Sequence, residues 1–145
     1  MTHPSDRFSW RFDQALTLAS LAHAGVPRKG TVVPYIMHPA HVARLLDRHG
    51  FSEDAVIAGL LHDVLEDADF GNVDLQGALQ RTFGEFADTE HSEAAFRDAT
   101  ESFMAAKFGK NVVELVRSVT EAKSDGPVHA RGECVRTSSL PTSRR

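Results

Sequence analysis

A chain of 145 residues has the length of one domain, and its 41% hydrophobic and 25% charged residues, with 10 Gly and 6 Pro, exclude collagenous, wholly disordered and disulfide-built chains. The formal net charge of -4 divides unevenly, -7 in residues 1–125 and +3 in residues 126–145; so acidic a body excludes a broad nucleic-acid surface, but not a small phosphorylated ligand at a local basic patch. The longest apolar run free of charge and His, Ala55 to Leu61, falls far short of the roughly 20 residues that cross a bilayer, the chain opens without an apolar signal segment, and Cys134 is the only cysteine.

A cytoplasmic protein without membrane contact is therefore expected, and any metal must be held by His and carboxylates. The apolar residues Phe8, Phe12, Leu16, Ala19 and Ala22, spaced by threes and fours, predict a first helix of about 17 residues, stopped by Gly25 and Pro27. Residues 25–37, with Gly25, Pro27, Gly30 and Pro34 around the basic pair Arg28-Lys29, predict an ordered loop. His38-Pro39 opens a second helix that runs to Gly50, with the proline in the first turn, where its missing N–H is not needed.

Ser52 caps a third helix from Glu53 to about Asp67, apolar almost all around, as a central buried helix must be. A fourth is expected from about Val73 to Phe83. A fifth runs from about Glu90 to Phe108 with Phe96, Ala99, Phe103 and Ala106 on one stripe, and a sixth from about Lys110 to Thr120. No segment alternates with a period of two, so the fold class is all-α. After Lys123 the sequence has almost nothing to bury, and residues 124–145 are expected to form a disordered basic tail.

The chemistry concentrates in Gly59-Leu60-Leu61-His62-Asp63-Val64-Leu65-Glu66-Asp67. On one continuous helix, His62 and Glu66, and likewise Asp63 and Asp67, are four apart and project towards one patch. Buried carboxylates call for a cation. The competing account ends the helix at Leu65, with Glu66 and Asp67 in solvent and His62-Asp63 a local pair. A hairpin of the second and third helices brings His38 towards His62 and Asp63, and imidazole nitrogens with a carboxylate suit manganese, iron or zinc. His41 and His49 read as surface or packing residues, and His23 as a packing histidine in preference to one that touches the site.

These residues resemble a known family, the HD-domain alarmone hydrolases of the RelA/SpoT enzymes and their small single-domain relatives. The matching stretches are Ala22-His23-Ala24-Gly25, Arg28-Lys29-Gly30, Pro34-Tyr35-Ile36-Met37-His38-Pro39, Ala58 through Asp67, Phe83-Gly84 and Val116-Arg117-Ser118-Val119-Thr120, in order across about residues 8–123. The resemblance implies an HD-type helical bundle of about six helices over residues 1–123 and a Mn2+-dependent pyrophosphohydrolase that removes the 3′-diphosphate of (p)ppGpp. It implies His38, His62 and Asp63 as metal ligands, Glu66 and Asp67 as the acidic pair that activates water, and Arg28 and Lys29 as nucleotide contacts. Tyr35 falls either at the nucleotide pocket or in the core.

The chain also departs from that family. The relatives' fourth ligand, an Asp in a later Ala-Asp-Lys/Arg-Leu-His-Asn-like helix, has no counterpart, and Asp125 and His129 are the nearby candidates. Residues 87–107 read as an insertion. Around Cys134 the sequence leaves the family's outline in the way a one-base insertion in the gene would produce, which gives a bundle incomplete at its C-terminal end. The altered Arg28 loop admits an HD-type hydrolase of another nucleotide or phosphoester, and the missing ligand a non-catalytic remnant.

Overall fold

The structure is a computed structural model that describes residues 9–124, with side chains through residue 120. Among the described residues there are seven helical segments: α1 (Trp10–Ala22), α2 (Met37–Arg48), α3 (Glu53–Leu61), α4 (Val64–Asp67), α5 (Val73–Phe83), α6 (Glu93–Phe108) and α7 (Lys110–Ser124). The fold is all-α, and the only β-type pairing among these residues is an isolated bridge between Pro27 and Pro34. No helix among them is long and apolar enough to cross a membrane. The expected tail, Asp125, His129 and Cys134 lie outside the described residues.

Helix starts follow the capping residues. Ser9, Ser52 and Ser92 each accept the third following residue's backbone N–H, and the Asn72 side chain accepts those of Asp74 and Leu75, satisfying donors that the first turn leaves unpaired. The cap at Ser92 starts α6 three residues later than its periodicity suggested.

α3 is the axis of the molecule. Every residue from Val56 to Leu61 is buried, and the helix packs against α1, α2 and α7. A Cβ on Gly59 would stand 2.5 Å from Leu46 Cδ1 and 3.2 Å from Val42 Cγ1, so this glycine sets how closely α2 and α3 approach.

The buried face of α1 differs from the expected one. Ala15, Leu18, Ala19 and Ala22 are inside while Leu16 faces solvent, because the short alanines let α1 lie close to α3 and α5. On α6 the buried stripe is Phe96, Thr100, Phe103, Met104 and Phe108, and Ala106 is exposed. The segment 87–107 therefore supplies much of the aromatic core: the Phe103 ring lies 4.7 Å from Phe83 and 5.4 Å from Phe86.

Candidate metal centre

The expected third helix is broken. His62 and Asp63 form a turn between α3 and α4, with Asp63 at φ -97°, ψ -5°, the sparsely used bridge region where many active-site residues sit. Asp63 occupies the N-cap position of α4, yet its side chain makes no capping bond. Its carboxylate is turned inwards instead, with 1% of its surface exposed. Side-chain partners there outweigh the regular continuation of the helix.

Those partners come from three elements. His62 Nε2 lies 3.0 Å and His38 Nε2 3.6 Å from Asp63 Oδ2, and the two imidazole rings stand 5.2 Å apart. The start of α2 thus lies beside the end of α3, as the hairpin reading anticipates. Tyr35, from the loop before α2, places its hydroxyl 2.8 Å from Asp63 Oδ2 and 3.0 Å from Asp67 Oδ2. Burial, then the bonds to both carboxylates, raises the phenol's pKa well above its ordinary value, so it stays protonated.

The His62 ring is oriented by the backbone. A carbonyl only accepts, so the 2.8 Å contact between His62 Nδ1 and the Gly59 carbonyl puts the imidazole proton on Nδ1. Nε2 then lies 3.0 Å from Asp63 Oδ2. Only a proton or a cation between them makes that contact favourable. A backbone carbonyl on the second nitrogen is also the usual arrangement behind a metal-ligating imidazole.

The donor atoms of His38, His62 and Asp63 lie within 4.8 Å of one another, close enough to hold a metal ion. Bonds of about 2.1 Å would keep such donors within about 4.2 Å, so small side-chain shifts suffice. Two imidazoles and a carboxylate fit a divalent transition ion, and the residues present therefore suit the group.

The remaining expected residues stand at different depths. Asp67 reaches the cluster through Tyr35, while Glu66 is exposed on the one-turn α4. Arg28 and Lys29 are exposed at the turn of a hairpin closed by Arg28 N–H to the Val33 carbonyl (2.8 Å) and Tyr35 N–H to the Val26 carbonyl (2.7 Å). Gly30, at φ 74°, makes that turn feasible. His23, read as packing, is indeed buried, but its ring lies 4.8 Å from that of Tyr35 and so backs directly onto the cluster. Its occurrence one helical turn before the basic loop was the signal available in the sequence.

The pattern of the HD domain matches residues 15–88, just over half of the chain, and spans both the hairpin and the His62-Asp63 turn. The chain belongs to the HD-domain family. This HD domain is 34% identical over 108 residues to a guanosine-3′,5′-bis(diphosphate) 3′-pyrophosphohydrolase of Vibrio cholerae, covering 73% of the chain and 15% of that protein. It is 30% identical over 118 residues to the bifunctional (p)ppGpp synthase/hydrolase SpoT of Escherichia coli, covering 80% of the chain and 16% of that protein. Over 55 residues it is 47% identical to a putative GTP diphosphokinase RSH1 of Oryza sativa, covering 38% of the chain and 6% of that protein. The HD domain thus spans a small fraction of the length of these relatives.

Proposed function

We propose that this HD domain is a divalent-metal-dependent phosphohydrolase that removes the 3′-diphosphate of (p)ppGpp in the cytoplasm, with Mn2+ held by His38, His62 and Asp63. The observation that carries the reading is the convergence of those three side chains on one point, with the His62 ring oriented by the contact of its Nδ1 with the Gly59 carbonyl. The relatives whose names specify a guanosine 3′-pyrophosphohydrolase support the choice of substrate.

The bound ion would lower the pKa of its water towards neutrality and offset phosphate charge. Glu66, exposed one turn beyond His62, and Asp67 are the carboxylates in position to take the water's proton. Tyr35, whose hydroxyl is engaged by Asp63 and Asp67, serves to hold those carboxylates in place and leaves nucleotide contacts to other residues. Arg28 and Lys29 receive the polyphosphate at the hairpin turn, Arg28 through the planar fork that matches phosphate oxygens. The groove that Asp67 shares with Asp69 and Asp74 is acidic and repels phosphate, which favours approach along the hairpin.

The test is Mn2+-dependent release of pyrophosphate from ppGpp. Glu66→Ala should lower the rate about a hundredfold, the usual size of a general-base contribution, and His62→Ala should abolish it. Full activity in both variants would sink the site assignment. Turnover of another nucleotide but not ppGpp would sink the substrate.

A further inference from the structure

His23 closes α1 with 3% of its surface exposed, and its Nε2 is sealed from solvent with no hydrogen-bond partner among the described residues. A buried polar atom with an unmade bond is costly, and a phenylalanine would fill the same space without that cost. The nitrogen therefore calls for a reason. No substrate can touch an atom so enclosed, and what the ring does touch is Tyr35, at 4.8 Å between centroids and a 42° tilt.

Tyr35 has a complementary difficulty. One phenolic proton serves two carboxylate oxygens, at 2.8 Å and 3.0 Å, so one of these contacts always sets oxygen lone pairs against each other. A divalent cation at His38, His62 and Asp63 would draw Asp63 Oδ2 to itself. The phenol would then donate to Asp67 alone, and its oxygen would have a lone pair open to a donor. Burial lowers the His23 pKa despite Asp63 and Asp67, with His38 and His62 acting in the same direction as burial, and so keeps the ring neutral with one N–H to give.

We propose that His23 is a positioning residue that acts through Tyr35: its Nε2–H bonds the Tyr35 hydroxyl in the cation-loaded site and so fixes the phenol that holds Asp67 beside the Asp63 ligand. The proposal rests on the metal-dependent reading above, but it concerns cation binding and is measured without turnover.

Mn2+ affinity, read from loss of the free-ion electron paramagnetic resonance signal, tests it. His23→Phe should weaken Mn2+ binding about tenfold, as should Tyr35→Phe, the usual loss when a partner behind a ligand is removed. The double variant should bind like the weaker single one, since both changes remove one interaction. His23→Gln, which places an amide N–H near the position of Nε2, should return affinity to within about threefold of the parent. Thermal melts should place His23→Phe no lower than the parent, because the ring is kept and the unmade bond removed.

Parent-like affinity in His23→Phe, losses that multiply in the double variant, or a parent chain that takes up no Mn2+ would each overturn the proposal. A lowered melting temperature with unchanged affinity would make His23 a packing residue only. If the variants behave as stated while ppGpp stays intact, the hydrolase reading fails and this one stands. If ppGpp is cleaved and His23→Phe binds like the parent, this one fails alone.

Discussion

At the N-terminal end of α3, Arg11 bonds Glu53 Oε2 and Asp54 Oδ1 at 2.7 Å each and reaches the Phe108 carbonyl, Asn111 donates to Asp54 Oδ2 at 2.9 Å, and Ser9 donates to the other oxygen of Glu53. At the C-terminal end, two carboxylates share the proton of Tyr35, and His62 Nε2 lies 3.0 Å from Asp63 Oδ2. The first knot meets every carboxylate oxygen with a donor, and it fastens α1, α3, α6 and α7 together. The second gathers two imidazoles and the Tyr35 hydroxyl around the buried Asp63. The first cluster is completed by the chain itself, whereas the second brings three donor atoms within 4.8 Å of one another, close enough to hold a metal ion.

The largest effect should come from the C-terminal end of α3. Asp63→Asn should weaken Mn2+ binding more than about a hundredfold while leaving the melting temperature without metal at or above the parent's, because it removes a buried charge. Saturating Mn2+ should raise the melting point of the parent by several degrees, and that of Asp63→Asn not at all; an equal rise in both would break the comparison.

Gly59→Ala comes next. The added methyl forces Leu46 and Val42 away from α3 and should cost about 1–3 kcal/mol in a denaturant titration. It should also weaken Mn2+ binding, because the Gly59 carbonyl orients His62. Loss of stability with metal affinity untouched would show that the His62 ring does not depend on that bond.

Arg11→Ala should cost only about 1 kcal/mol, since the pairs are partly exposed and screened, and Mn2+ affinity should stay within about twofold of the parent. The smallest effect is its pH dependence. Asn111, then Arg11, hold the Asp54 carboxyl below its ordinary pKa, so their stabilisation is full above about pH 4 and is lost as pH falls through the lowered value. Melting curves of parent and Arg11→Ala should therefore approach each other below about pH 4; a constant gap would show that Arg11 acts through packing alone.

Much of this architecture was legible in the sequence because helix caps and turns are local. Ser52, Gly50 and Gly84 mark boundaries that the structure keeps within a few residues. The meeting of His38 with His62 and Asp63 followed from a short connection and the length of two helices. The break at His62-Asp63 did not, since Val64 and Leu65 continue the apolar pattern and only the contacts of a buried carboxylate stop the helix. Tyr35's double bond to Asp63 and Asp67 depends on the path of an irregular loop, which periodicity does not encode. The buried face of α1 was shifted for a similar reason: alanines carry little hydrophobic signal but permit the closest helix approach.

The hairpin before α2 has a consequence for how this site can change over evolutionary time. One short segment, cross-braced between Pro27 and Pro34, carries the basic turn at its tip and Tyr35 at its root. A residue gained or lost at the tip would also shift the phenol that ties Asp63 to Asp67. The basic tip and the cluster around Asp63 are therefore inherited together, and a lineage that alters one would have to compensate around Tyr35 as it goes.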